Sequence, residues 1–113
     1  MDHQHSNELD TLMTALANEH RRSIINVVAL QPASISQLAE QRGLSLPAIH
    51  KHIKVLEEAG LVHRRKTGRT NFLSLRRQGL LAVWEWVGQF HPYWGNDAET
   101  LENYAHSLGS DSP

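Results

Sequence analysis

The sequence predicts a mainly α-helical domain that carries a single β-hairpin. Apolar residues recur at helical spacing through most of the chain, and serine and glycine stand where helices are expected to begin and end. Residues 61–76 instead alternate between apolar and polar side chains, which is the pattern of two paired strands. The middle region, residues 42–77, holds nine of the eleven lysines and arginines and two acids, so its net charge is +7. A basic region between acidic ends indicates a surface that binds nucleic acid.

Length and composition favour one domain in the cytoplasm. At 113 residues the chain suits a single core, near the size at which association with a second copy adds useful burial. No apolar run approaches the ~20 residues of a membrane span, and no signal peptide opens the chain, so no membrane partner is expected. We expect one domain over residues 8–108, with disordered tails at 1–7 and 109–113. The absence of cysteine excludes disulfides, thiolate nucleophiles and cysteine-ligated zinc.

Two helices are expected in the first third of the chain. The first runs from about Glu8 to Ala17, because apolar residues recur there on one face. The second runs from about Arg21 to Leu30 and is almost wholly apolar in its centre, so it should be buried. Its end is set by Pro32, which cannot continue a helix. The apolar face of the first helix consists of Leu9, Leu12, Met13 and Leu16.

A third, short helix is expected to begin at Ser34. Gln37 follows three residues later, and this spacing is typical of a capping box, in which each side chain bonds the other residue's backbone N–H. Gly43 ends the helix, and the segment QRGLS forms a tight turn into the next one. Two helices joined by a short turn that contains glycine are typical of a helix-turn-helix.

The fourth helix, within residues 45–60, is predicted to enter the major groove of DNA. Ser45 is a good N-cap, Pro47 suits the first turn, and Gly60 ends the segment. One face is apolar and should be buried: Ile49, Ile53 and Leu56. The other face is exposed and carries Pro47, Lys51, Lys54 and Glu58, with Ala48 and His50 beside it. Taken alone, such a helix is equally well explained as a solvated amphipathic helix.

Two strands, at about 61–66 and 70–76, should follow and be joined at Gly68. Four cations crowd this hairpin: Arg64, Arg65, Lys66 and Arg69. They repel one another unless an anion is present, and the phosphates of a duplex supply closely spaced charge. A charged hairpin that merely avoids edge-to-edge pairing is the alternative. Because the hairpin follows a helix-turn-helix directly, we interpret it as a DNA-binding wing, and the fold as a winged helix-turn-helix.

The last third returns to helical spacing and contains all three tryptophans within eleven residues. This aromatic surface is larger than a small domain buries alone, and it indicates an interface. We therefore expect a dimerisation helix at about 78–95, kinked near His91-Pro92, and a further helical segment at 98–108. The predicted two-fold interface consists of Leu9, Leu12, Met13, Leu16, Leu80, Trp84, Val87, Phe90 and Trp94.

With these residues placed, the chain resembles the ArsR family of bacterial winged-helix repressors over roughly residues 9–95. The resemblance rests on LANEHRRSII, on ISQLAEQRGLSLPAIHKHIKVLEEAGLVHRRKTGRTNFLSL and on the aromatic C-terminal helix. It implies a cytosolic homodimer that binds double-stranded operator DNA and blocks transcription. It also implies that the DNA contacts are Ser45, Pro47, Ala48, His50, Lys51 and Lys54 in the helix, and Arg64, Arg65, Lys66 and Arg69 in the wing.

The chain departs from the metal-sensing members of that family. Those members carry cysteines in the segment that matches residues 36–38 here, and this chain has none. Others bind zinc through Asp, His and Glu on the last helix, and the spacing of such residues differs here, although Glu102 and His106 are four residues apart. We therefore expect no cofactor and no metal. A metal-sensing repressor with His and carboxylate ligands is kept as an alternative.

Two other classes of function compete with DNA binding. A winged-helix module that binds an acidic protein is the second choice, since fold alone does not determine function. An enzyme is not expected, because the chain contains no phosphate-binding glycine loop, no HExxH pattern and no Ser/His/Asp arrangement. The operator, the regulated genes and any effector are left open by the sequence.

Overall fold

The structure, a computed structural model, describes residues 2–90 and 97–110. It has the predicted mainly α architecture with a small antiparallel sheet. In chain order the elements are α1 (Asp2–Leu16), α2 (Glu19–Val28), β1 (Ala33–Ser34), α3 (Ile35–Arg42), α4 (Leu46–Glu58), β2 (Val62–Thr67), β3 (Thr70–Leu75), a 3₁₀ turn (Arg77–Leu80), α5 (Leu81–Gly88) and α6 (Asp97–Ser110). No helix among the described residues is both long and apolar enough to cross a membrane.

Helix α1 begins earlier than the sequence pattern predicts. The structure starts it at Asp2, whereas the prediction placed a disordered tail before Glu8. No glycine or proline precedes Asn18, so the local sequence gives the helix no reason to stop toward its N-terminus. Helix α1 ends at Leu16, and Asn18 then caps the start of α2 by accepting a hydrogen bond from the backbone N–H of Arg21.

The sheet has the strand order β1–β3–β2, with both pairs antiparallel. The predicted hairpin is β2 and β3, which pair from Val62 with Leu75 to Thr67 with Thr70. Gly68 lies in the turn between them with φ of 64°, a value that favours glycine. Strand β1 was not predicted, and it pairs Ala33 and Ser34 with the inner strand β3.

The core lies between the helices and the inner side of the sheet. The predicted apolar stripe of α4 is fully buried, and it packs with Leu38 of α3 and Leu73 of β3. The other large, fully buried side chains come from α1, α2 and the start of the hairpin: Leu12, Ile24, Leu61 and Val62. The core therefore holds α4 rigidly against both α3 and the hairpin.

Burial separates the described residues of the predicted interface into three groups: buried, partly buried and exposed. Leu12 is only 1% exposed, so this part of the prediction is wrong: the residue belongs to the core of its own protomer. Leu9, Leu16 and Leu80 are partly buried. The exposed members are Met13, Trp84, Val87 and Phe90. Trp94 and the His91-Pro92 kink lie outside the described residues.

Gly79, in the 3₁₀ turn, lies against the chain segment that ends α4. A Cβ atom at this position would overlap the carbonyl oxygen of Gly60 and lie 2.8 Å from its carbonyl carbon. Nearby, the backbone N–H of Arg76 donates to the carbonyl oxygen of Leu61 at 2.8 Å. The end of the hairpin is therefore fastened to the end of α4 at a point where only glycine fits.

Replacing Gly79 with Ala is expected to lower the free energy of unfolding by about 1–3 kcal/mol, the usual cost of overpacking a close contact. Urea denaturation measures this change. The control is Gly109→Ala in α6, where an added Cβ meets nothing within 4 Å. This control should be neutral or stabilising by up to about 1 kcal/mol. Equal stabilities of the two variants would contradict the close approach.

Candidate nucleic-acid interface

The positions of α3 and α4 are set by local hydrogen bonds that the sequence predicts. Ser34 accepts from the backbone N–H of Gln37, and the Gln37 side chain accepts from the backbone N–H of Ser34, which completes the capping box. Gly43 has φ of 63° and turns the chain into Ser45. The Ser45 hydroxyl then accepts from the backbone N–H of Ala48 at 3.3 Å, with Pro47 in the first turn. The helix-turn-helix is thus encoded mainly by capping residues.

The face of α4 opposite the buried stripe is open to solvent at its N-terminal half. Ser45, Pro47, Lys51 and Lys54 are exposed there, while Ala48 and His50 are half-buried. Leu46 is also exposed, at 50%, and it was missed in the sequence analysis. It precedes His50 by four residues, about one helical turn. This spacing in the sequence indicates that the two residues share a face of the helix.

The hairpin presents most of its cations to solvent. Arg65, Lys66 and Arg69 are exposed, as are Lys51 and Lys54 of α4, and none of the five forms an ion pair with a described residue. We call these five residues the basic surface. Unpaired cations at this density repel one another, and an anionic partner removes the repulsion.

Arg64 is held differently from the other hairpin cations. Its Nε donates to Glu57 Oε1 at 2.9 Å, and its Nη1 lies 3.0 Å from Nδ1 of His50. Both partners belong to α4, so this side chain connects strand β2 to the fourth helix. The structure brings together three residues that are separated by seven and fourteen positions in sequence.

An open cleft separates the first turns of α3 and α4 from the hairpin. Its lining includes Ser34, Ser36, Leu46, His50, Arg69 and Asn71. Hydroxyl, amide, imidazole and guanidinium groups are donors suited to phosphate oxygens and base edges. The cleft therefore joins the exposed side of α4 to the basic hairpin.

Behind α4, a cluster of arginine and histidine side chains connects the helices. Arg21 donates to the carbonyl oxygens of Ala15 and Thr14 at the end of α1, and its Nη1 lies 3.2 Å from Nδ1 of His52 in α4. The ring of His52 is 5.4 Å from that of His20, which accepts from Nε of Arg42 at 3.0 Å. This cluster connects α4 to α1, α2 and α3 through contacts in which an arginine N–H faces Nδ1 of a histidine ring.

The pKa of His52 is lowered below its ordinary value of 6.5, chiefly by burial and then by the charges of Arg21 and His20. The unfolded chain therefore binds a proton at a higher pH than the folded protein does. We expect the free energy of unfolding to fall as pH drops below 6.5, by at most about 1.4 kcal/mol per pH unit for this one proton. Above 6.5 the contribution of His52 to the pH dependence should vanish.

Urea denaturation between pH 5 and 8 tests this expectation. The matched variant is His52→Gln, because its amide oxygen can still accept from Arg21 but does not titrate. Its stability should fall less steeply below pH 6.5 than that of the wild type. Identical slopes for the two proteins would contradict the assignment to His52.

The described residues contain no group of three or more side chains from His, Cys, Asp and Glu placed to hold a metal ion. Glu102 and His106 are both exposed on α6. His91 lies outside the described residues, as does the side chain of Asp97.

Comparisons with known sequences agree on one class of domain. The family model described as a helix-turn-helix domain matches residues 16–65. The chain is 36% identical over 74 residues to the HTH-type transcriptional regulator Rv2034 of Mycobacterium tuberculosis, covering 66% of this chain and 69% of that protein. It is 32% identical over 74 residues to the transcriptional activator HlyU of Vibrio cholerae, covering 66% of this chain and 68% of that protein.

Solved structures share the same architecture. A crystal structure of an ArsR family transcriptional regulator superposes with a TM-score of 0.71 at 29% identity, covering 79% of this chain and 92% of that one. HlyU from Vibrio cholerae superposes with a TM-score of 0.63 at 29% identity, covering 76% of this chain and 94% of that one. A homodimeric winged helix-turn-helix DNA-binding domain from Mycobacterium bovis superposes with a TM-score of 0.62 at 21% identity. The match covers 74% of this chain and 79% of that one, and it shows that the two share a fold.

Proposed function

This chain belongs to the ArsR family of winged helix-turn-helix transcriptional regulators, and from that premise we propose that it is a homodimeric repressor that binds an inverted-repeat operator. The family and the fold point to a DNA-binding protein without catalytic activity. It would act in the cytoplasm, where its operator lies.

The observation that carries the proposal is the basic surface beside the open face of α4. Lys51, Lys54, Arg65, Lys66 and Arg69 are all exposed and unpaired with any described carboxylate. In a duplex complex, α4 would lie in the major groove with His50 and Leu46 near base edges, while the hairpin cations contact the backbone. The remaining predicted contacts, Ser45, Pro47 and Ala48, lie in the first turn of the same helix.

Dimerisation is proposed through α1 and α5. These two helices pack together. Trp84 of α5 is 75% exposed, and Phe90, two residues after the end of α5, is 66% exposed. Exposed aromatic side chains at this density favour a protein partner over water. Because a two-fold dimer presents two α4 helices, its half-sites should be separated by about one helical turn, ~10 bp, or a multiple of that.

Repression is the proposed outcome of binding, since a dimer that covers promoter DNA blocks access to it. One relative, HlyU, is named an activator, so the direction of regulation needs its own measurement. A promoter–reporter fusion in cells with and without the protein provides it. Repression predicts higher reporter expression when the protein is absent.

The operator proposal is tested by selection of tight-binding duplexes from a random-sequence DNA pool. We expect enrichment of an inverted repeat with the half-site spacing given above. Failure to enrich any sequence, together with capture of an acidic protein by the wild type but not by a variant without the basic surface, would favour a protein-interaction module. A variant with Lys51 and Lys54 changed to Gln should enrich nothing, which controls for binding by other surfaces.

A further inference from the structure

Arg64, Glu57 and His50 form a chain of hydrogen bonds from the hairpin to the exposed side of α4. The Arg64 Nε donates to the Glu57 carboxylate at 2.9 Å, and its Nη1 lies 3.0 Å from Nδ1 of His50. The Arg64 and Glu57 side chains are each about one-third exposed, at 33% and 31%, so the ion pair is partly shielded from solvent. This arrangement restrains the imidazole of His50 from one side.

The chemistry of this contact determines which nitrogen of His50 carries the proton. A guanidinium group has only donors, so Nδ1 of His50 must be the acceptor in its contact with Arg64. In a neutral imidazole the other nitrogen, Nε2, then carries the hydrogen. The side chain of His50 makes no further hydrogen bond to a described residue, so its Nε2–H donor remains available.

The available donor lies at the face that the proposed function assigns to DNA. His50 lines the open cleft together with Leu46 and Arg69, in the N-terminal half of α4. In the major groove, guanine presents two acceptors, N7 and O6, whereas cytosine presents an amino donor. A fixed N–H donor at this position therefore discriminates between the two bases of a G·C pair.

We propose that Arg64 is a positioning residue that holds His50 as an Nε2–H donor to guanine N7, so that the protein favours guanine over cytosine at one position of each half-site. Glu57 supports this role by holding the guanidinium through Nε. The inference rests on the proposed function for its DNA partner, although the protonation of His50 is a property of the free protein. It assigns Arg64 a part in specificity in addition to any phosphate contact by its remaining N–H groups.

The first test uses the free protein and needs no DNA. Long-range ¹H–¹⁵N NMR spectra of the histidine rings at pH 7.5 distinguish the two neutral tautomers. The wild type should show His50 with a protonated Nε2, and Arg64→Met should show a mixture of tautomers. A wild type with protonated Nδ1, or an unchanged His50 spectrum in Arg64→Met, would overturn the proposal.

The second test measures discrimination on DNA. The duplex is the tightest binder recovered from a random pool, and each guanine in turn is replaced with 7-deazaguanine, which lacks the N7 acceptor. Wild-type affinity should fall by about 10-fold at one guanine per half-site. His50→Ala should be insensitive at that position, and Arg64→Met should lose most of the discrimination. Glu57→Gln should keep the discrimination, since its amide oxygen can still accept from Arg64.

The matched control is Arg65→Met, which removes the same charge from the neighbouring residue of β2. It should weaken binding to parent and 7-deazaguanine duplexes by the same factor and leave their ratio at the wild-type value. Equal ratios in Arg64→Met and Arg65→Met would overturn the positioning role. If the wild type prefers no duplex, the proposed function fails, and the NMR tautomer alone decides the assignment of His50.

Discussion

Replacing Trp84 with Glu is expected to convert the proposed dimer into monomers and to lower operator affinity by at least about 100-fold, the scale of avidity between two linked sites. Trp84 is 75% exposed on α5, so the protomer does not need its ring for folding. In the dimer, an indole side chain of this kind contributes about 150–250 Å² of buried surface, and a carboxylate in its place would be desolvated without a partner.

Sedimentation equilibrium and fluorescence anisotropy measure the two parts of this prediction. The matched control is Leu30→Glu, which places the same charge at an apolar residue that is 87% exposed after α2. Leu30→Glu should remain dimeric and bind DNA with wild-type affinity. A dimeric Trp84→Glu protein, or monomers in both variants, would refute the interface on α5.

Changing Arg65, Lys66 and Arg69 together to Gln should lower operator affinity by about 100- to 1,000-fold near physiological salt. Each phosphate contact that a protein makes contributes about 0.9 to the slope of log K against log salt concentration. Three cations in each of two protomers therefore account for a slope change of up to about five. The exposure of all three side chains means that the folded state should be unaffected.

Anisotropy titrations at several salt concentrations test this prediction. The single variants Arg69→Gln and Arg22→Gln remove equal charge, and Arg22 lies on α2, outside the basic surface. Only Arg69→Gln should reduce the slope. An unchanged slope in the triple variant would exclude the hairpin from phosphate contact.

The elements that the sequence predicted well are those with local signals. The capping box at Ser34, the N-cap at Ser45 and the apolar stripe of α4 depend on residues within a few positions, and the structure confirms each of them. The hairpin was also predicted, because two runs of alternating apolar and polar residues stand on either side of the glycine turn at Gly68.

Features that depend on tertiary contacts were outside the reach of these signals. Strand β1 is two residues long, too short to show alternation, and it exists because β3 offers it an edge. Leu12 shares its helical face with Met13, and spacing alone does not distinguish a core residue from an interface residue. Burial in the folded chain separates them.

The candidate site was predicted as a set of residues rather than as a network. The cations of the hairpin were named together, yet Arg64 pairs with Glu57 while Arg65, Lys66 and Arg69 remain unpaired among the described residues. Arg64 lies where β2 approaches α4, and its side chain contacts Glu57 and His50 there. Arg65 points to the opposite side of β2, while Lys66 and Arg69 lie nearer the tip of the hairpin. The sequence identified the charges, and the fold determined their partners.

The most direct test of the account is anisotropy of the wild-type protein on its selected duplex and on a scrambled duplex of equal length, across a range of salt concentrations. We expect binding to the selected duplex to be at least about 1,000-fold tighter, with log K falling linearly with log salt concentration. Equal affinities for the two duplexes at every salt concentration would contradict sequence-specific recognition by α4 and the wing.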